Sequence, residues 1–134
     1  MILAICIDDA NGMMFNHRRV SSDKKVIQDI LLNVDANIVA IAPYSLPLFK
    51  DFESNVVVAE DLLHSGNTFC FAESGDFLEI RDEVQKLIVY KWNRRYPSDC
   101  KFPMELFRTV MRLNSVEKFQ GYSHECITKE VYVR

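Results

Sequence analysis

Leu87-Ile-Val-Tyr-Lys-Trp-Asn-Arg-Arg-Tyr-Pro-Ser-Asp-Cys-Lys-Phe-Pro103 is the stretch on which the reading of this chain of 134 residues turns. Apart from Lys91, its first six residues are β-branched, aliphatic or aromatic, a composition that favours a strand. Downstream, 107–119 and 129–133 read as the two arms of a terminal antiparallel pair. At the other end, residues 1–7 (Met-Ile-Leu-Ala-Ile-Cys-Ile) are almost entirely apolar, as a strand covered on both faces should be. That strand is expected in the sheet interior, flanked by 38–42 and 87–92.

Between these ends, strand-like runs alternate with helical spacing. Ser21-Ser22-Asp23 supplies helix-capping side chains, and Val26, Ile27, Ile30, Leu31 and Val34 form one apolar stripe behind them. Residues 38–42 read as a second buried strand. Pro43 stops it and opens a helix carrying Leu46, Phe49 and Phe52. Further strands are expected at 55–59 and 68–72, a short helix at 60–66, and a helix carrying Phe77, Ile80 and Val84. No repeat, low-complexity tract or linker interrupts the chain, so 1–134 is read as a single domain. The pattern predicts an α/β fold: a mostly parallel central sheet, helices on both faces, and a C-terminal antiparallel strand pair.

Composition narrows the function classes. The chain is 49% hydrophobic and 26% charged, and no apolar run approaches the roughly 20 residues of a membrane span. Residues 1–7 lack a basic leader and run straight into Asp8 and Asp9, which favours a buried strand over a signal sequence and a cytoplasmic setting. The formal charge of −3 provides no global attraction to nucleic acid, so any anion site must be local. Cys6, Cys70, Cys100 and Cys126 have no C-x-x-C spacing and are expected as buried free thiols, with disulfide or metal ligation as the other readings. His17, His64 and His124 are too dispersed for a sequence-local metal motif. Gly-x-Ser-x-Gly, Gly-x-Gly-x-x-Gly and P-loop motifs do not occur.

Three stretches carry a resemblance. Asp99-Cys-Lys-Phe-Pro103 resembles the Asp-x-x-Phe-Pro turn of dihydrofolate reductases, and 123–134 resembles that family's final strand. Ala4-Ile-Cys-Ile-Asp-Asp-Ala-Asn-Gly-Met13 is similar to its opening strand and the Gly-Met turn into its mobile active-site loop. The resemblance implies a dihydrofolate-reductase-like fold, with Asp23 in the place of the acid that binds the pterin, and with Ile2, Ala4 and Ile27 as pocket walls. Tyr90 takes the place of a threonine beside that acid, where its ring would fill part of the pterin space. Residues 42–46 replace the family's Gly-Arg-x-Thr-Trp stretch, leaving only Ser45 of its phosphate-binding hydroxyl and arginine. Glu53 inverts the charge that would clamp a folate carboxylate. The Gly-Gly pair that receives a cofactor phosphate is missing with its strand-helix unit between 74 and 87, which implies no cofactor. The chain is also similar in general appearance to small bacterial proteins often labelled ribonuclease Z, but it lacks the His-x-His-x-Asp-His metal cluster that such an enzyme needs.

Two readings of Asp23 stand side by side: a ligand-binding acid, or an N-cap whose charge is explained by the helix alone. Arg18 and Arg19 fall where a loop would cover the pocket mouth and could meet a small anionic or heterocyclic ligand. Trp92 and Tyr96, interleaved with Arg94 and Arg95, either stack a base or pack inward at a strand end. The leading functional expectation is a non-catalytic small-molecule-binding or interaction domain. The alternatives are an NADPH- or flavin-dependent reductase of a pterin-like heterocycle, and a structural subunit. A lost strand-helix unit would leave an apolar flank, which favours a homodimer.

Overall fold

The structure, a computed structural model, describes residues 1–34 and 38–134. Along the chain come β1 (Ile2–Ile7), β2 (Gly12–Phe15), β3 (Arg18–Arg19), α1 (Lys24–Leu32), β4 (Val39–Ile41), β5 (Val56–Val58) and β6 (Phe69–Phe71). They are followed by β7 (Lys86–Lys91), β8 (Cys100–Lys101), α2 (Met104–Arg108), β9 (Arg112–Phe119) and β10 (Ile127–Val133). The 3-10 helices Pro43–Asn55, Leu62–His64 and Phe77–Glu83 fill connections between strands.

A seven-stranded sheet runs in the order β5-β4-β6-β1-β7-β10-β9. β1 is parallel to β6 and β7, and β4 is parallel to β5 and β6. β10 returns antiparallel to β7 and carries β9 antiparallel at the edge. The expected interior position of the first strand holds, with Leu3 and Ile5 both fully buried. One expected neighbour is wrong: β6, not the 38–42 strand, lies beside β1, and β4 is one place further out. Both candidates are short apolar strands, so composition does not rank them; the path of the crossovers decides.

Side chains of β1 alternate across the sheet as a strand period of two requires. Leu3, Ile5 and Ile7 join one core with Leu63, Phe77, Ile80 and Phe107. Ala4 faces the other core, formed with Val26, Ile27 and Ile30 of α1 and with Phe49, Phe71 and Trp92. The helix expected over 43–55 is a 3-10 succession, because Pro47 removes an amide donor from its interior and Phe49 and Phe52 leave helical φ/ψ. The segment around Phe77, Ile80 and Val84 is also 3-10, and it is the one regular element between β6 and β7 among the described residues. The 107–119 arm opens as the end of α2 and becomes a strand at Arg112.

A second sheet, β3-β2-β8, was not anticipated. The segment after Gly12, read as the start of a mobile loop, forms a β2-β3 hairpin whose two turn residues have positive φ, Asn16 at 50° and His17 at 64°. Two carboxylates fasten it. Asp99 accepts from Asn16 N at 3.0 Å, and buried Asp8 accepts the N–H groups of Ala10, Gly12 and Tyr96 at 2.8, 2.6 and 3.0 Å. Burial alone pushes the Asp8 carboxyl up, but these hydrogen bonds outweigh it and hold the group below its ordinary range.

Candidate functional site

A cleft opens at the carboxyl ends of β1, β6 and β7, the edge at which open parallel sheets place their ligands. Cys6 of β1, Phe71 and Glu73 at the end of β6, and Trp92 just past β7 form its floor. Ser21, Ser22, Asp23, Val26 and Ile27 line the side toward α1, with Leu48 beyond, and Met13 and Arg19 of the hairpin close the mouth. Its volume is about 20 Å³, room for one water-sized group and far short of a pterin ring.

Asp23 N-caps α1, with Oδ1 accepting from Lys25 N at 2.9 Å. The same oxygen accepts from Tyr122 N at 3.1 Å, while Oδ2 accepts from Ser123 N at 2.9 Å and Ser123 Oγ at 3.1 Å. Oδ2 also lies 2.9 Å from His124 Nδ1, and the Asp23 side chain has no exposure. Burial by itself would raise the Asp23 pKa; the bonds from His124, Ser123, Lys25 and Tyr122 overcome it and hold the carboxyl well below the usual carboxylate range. The other ring nitrogen of His124, Nε2, is 2.8 Å from Ser21 Oγ. Tyr96 Oη lies 3.4 Å from that Oγ and 3.5 Å from Nε2. Trp92 stacks on the imidazole with ring centroids 4.5 Å apart.

The hairpin side is held by a second cluster. Arg19 makes a fork with Glu73, Nε to Oε1 at 2.7 Å and Nη2 to Oε2 at 3.0 Å, and its guanidinium lies 4.5 Å above the Tyr44 ring. Ser45, itself buried, donates to Glu73 Oε2 at 2.7 Å. The arginine charge is therefore matched inside the cleft, and an incoming anion would compete with Glu73. Trp92 contributes a different feature: its Nε1 is the one buried side-chain polar atom without a hydrogen-bond partner among the described residues. An unpaired buried donor of this kind costs about 1–3 kcal/mol.

Of the expected site residues, Asp23, Ile27 and Arg19 meet at this cleft. Arg18 is exposed and lines a separate surface hollow with Phe15, Asn16 and Pro97. Ile2 borders a depression at the opposite end of the strands, with Val34, Ile38 and Asn67, and Ala4 is sealed in the core. The wall contributed by β1 is instead Cys6, two residues on from Ala4 and on the same face. Ser45 does not line the cleft; it is buried, with its hydroxyl engaged by Glu73. Tyr90 is fully buried and turned away from the cleft, with its hydroxyl donating to Asp29 Oδ2 at 2.6 Å and Lys129 Nζ 2.9 Å from the same oxygen. Tyr90 does not line the cleft; Trp92, Arg19 and Glu73 do. Trp92 is buried and Tyr96 is half-buried, its hydroxyl directed at Ser21 and His124.

Trp92 was accessible from the sequence by alternation from Tyr90, and Ser21 by its place in the capping run. Glu73 and His124 carried no local signal, because their partners lie 54 and 101 residues away. Cys126 is exposed, which corrects the expectation that the cysteines are uniformly buried, and all four are free thiols. Among the described residues no cluster of three or more His, Cys, Asp or Glu side chains could hold a metal ion, and no helix is long and apolar enough to cross a membrane.

No family model matches the chain, and no curated protein matches it in sequence. Comparison with solved structures finds the dihydrofolate reductase of Enterococcus faecalis complexed with NADP(H) and RAB-propyl. The TM-score is 0.66 at 13% identity, covering 100% of this chain and 96% of that one. The order of the strands, the mostly parallel sheet, the terminal antiparallel pair and this full-length likeness together give the chain a dihydrofolate-reductase-like fold.

Proposed function

We propose that this domain binds a small, neutral, polar ligand in the cleft between α1, the β2-β3 hairpin and the carboxyl ends of β1, β6 and β7, and that it is not a pterin reductase. The observation that carries the reading is the lining of the cleft: Arg19, its one cation among the described residues, is already matched by Glu73, and Trp92, whose buried Nε1 has no partner, lines the same cleft. A neutral ligand enters there without displacing an ion pair. The cleft volume argues against a bicyclic ring, and the turn after β6 presents Glu73 where a phosphate would need amide donors and positive charge. Each charge-assisted phosphate contact contributes about 1.5–3 kcal/mol, so the lack of several weakens NADPH binding by orders of magnitude.

Trp92 is the single tryptophan of the chain, so its fluorescence reports on this wall alone. Titration with acetamide, with a pterin and with NADPH should shift the emission only for the first. Sub-micromolar NADPH binding would overturn this reading and restore the reductase, which rests on the fold likeness alone.

A further inference from the structure

We propose that Ser21 is a nucleophile for acyl transfer, with His124 as its general base and Asp23 as the group that orients the imidazole, and that the cleft hydrolyses esters of short acyl groups. This deepens the reading of the cleft as a small-ligand site and rests on it. The three side chains form a continuous line: Ser21 Oγ to His124 Nε2 at 2.8 Å, then His124 Nδ1 to Asp23 Oδ2 at 2.9 Å. Serine hydrolysis needs this relation of groups and is recognised by it rather than by chain order or fold. Ser21 lines the cleft and is half-buried, whereas the Asp23 side chain, although on the lining, has no exposure and His124 is buried outside the lining. The nucleophile is thus the member that a substrate meets.

The surroundings fit the assigned roles. Lys25 N, Tyr122 N and Ser123 N all donate to Asp23, so its oxygens stay fixed and charged while Nδ1–H donates to Oδ2. That bond leaves Nε2 as the acceptor facing Ser21. Trp92 covers one face of the imidazole and excludes water from it. For the carbonyl oxygen of a substrate, a donor is offered by Arg19, which lines the same cleft and whose Nη1 is left over while Nε and Nη2 hold Glu73. The small volume admits the carbonyl oxygen and little more, so the acyl part must be short and the alcohol part stays outside.

The steps balance without any further reactant than water. Ser21 Oγ bonds to the ester carbonyl carbon as its proton passes to His124 Nε2. The carbon–oxygen bond to the alcohol then breaks, and the alcohol leaves with that proton. Water attacks the acyl-serine, giving one proton to Nε2; the bond to Oγ breaks, Oγ takes the proton back, and the carboxylic acid departs.

The test uses p-nitrophenyl acetate with the wild-type protein, Ser21→Ala and, as a control remote from the cleft, Ser54→Ala, with acid quenching and peptide mapping by mass spectrometry. Wild type and Ser54→Ala should release an initial burst of p-nitrophenolate and carry acetyl on Ser21, distinct from adventitious acetylation of the neighbouring Lys24 and Lys25. Ser21→Ala should lose the burst and at least a hundredfold in turnover. His124→Gln should lose turnover comparably, with circular dichroism confirming that it is folded. Equal turnover in wild type and Ser21→Ala, or acetyl found only on lysines, would overturn the proposal. Acetamide titration of Trp92 emission runs alongside. Binding without acylation removes the nucleophile and leaves the ligand site standing, whereas neither binding nor acylation removes both.

Discussion

At Asp23 two oxygens receive five donors, and the N-cap reading and the site reading turn out to describe one residue. The carboxylate caps α1 and also grips residues 122–124. Asn at this position is not the benign cap it is elsewhere, because its amide nitrogen would face Ser123 N–H and the His124 ring as a third donor. Asp23→Asn should cost about 1–3 kcal/mol. Asp23→Ala leaves the buried donors without any acceptor and should cost about 3–5 kcal/mol; urea unfolding of both variants measures the difference. The folded-state pKa of Asp23 is depressed, so its contribution is full at neutral pH. That contribution falls away as the pH drops below the unfolded-state value of about 4. A plot of stability against pH should therefore be flatter between pH 4 and 2 for Asp23→Asn than for wild type, and identical slopes would remove this assignment. Asp8, depressed by the same kind of bonding, supplies the acid sensitivity that remains in the variant.

Among the elements, the cleft depends on a contact between two segments a hundred residues apart: the start of α1 and the 121–124 turn that precedes β10. Gly121 makes the approach possible. A Cβ there would collide with Asp23 Oδ2 and come within 2.8 Å of Ile127 Cδ1, both buried and neither free to yield. Gly121→Ala should displace the turn, break the Asp23–His124 bond and destabilise the protein by about 1–3 kcal/mol. The accompanying change in Trp92 emission would report the shift of His124, and an unchanged emission spectrum would contradict the coupling. The hairpin contributes the opposite wall through Arg19, and the fork to Glu73 ties it to the end of β6.

Across the whole molecule, the sheet ends differently at its two edges. β9 is largely exposed but carries Arg112, Glu117 and Lys118, charges that discourage edge-to-edge pairing. β5 is three valines with no charge, and Val57 and Val58 are 40% and 44% exposed. If the expected homodimer forms, this is the edge that physics favours. Sedimentation should show a concentration-dependent dimer that Val57→Lys abolishes, and a monomer at all concentrations would end that expectation. The sequence by itself determined the elements whose signal is local. The unbroken apolar run 2–7 reads as an interior strand, Ser21-Ser22-Asp23 supplies capping side chains before a stripe at helical spacing, and 87–92 reads as a strand, because periodicity and burial are written into neighbouring residues. It also placed Asp23, Arg19 and Ile27 near one another through the resemblance. The tertiary structure alone decided that β6 rather than β4 adjoins β1, since equally apolar strands are interchangeable until the crossovers are laid down. Only it could turn Tyr90 toward Asp29, match Arg19 with Glu73, and bring His124 between Ser21 and Asp23. Those bonds join residues dozens to a hundred positions apart, and a polar side chain's partner is chosen by which backbone the fold carries past it, not by its neighbours in the chain.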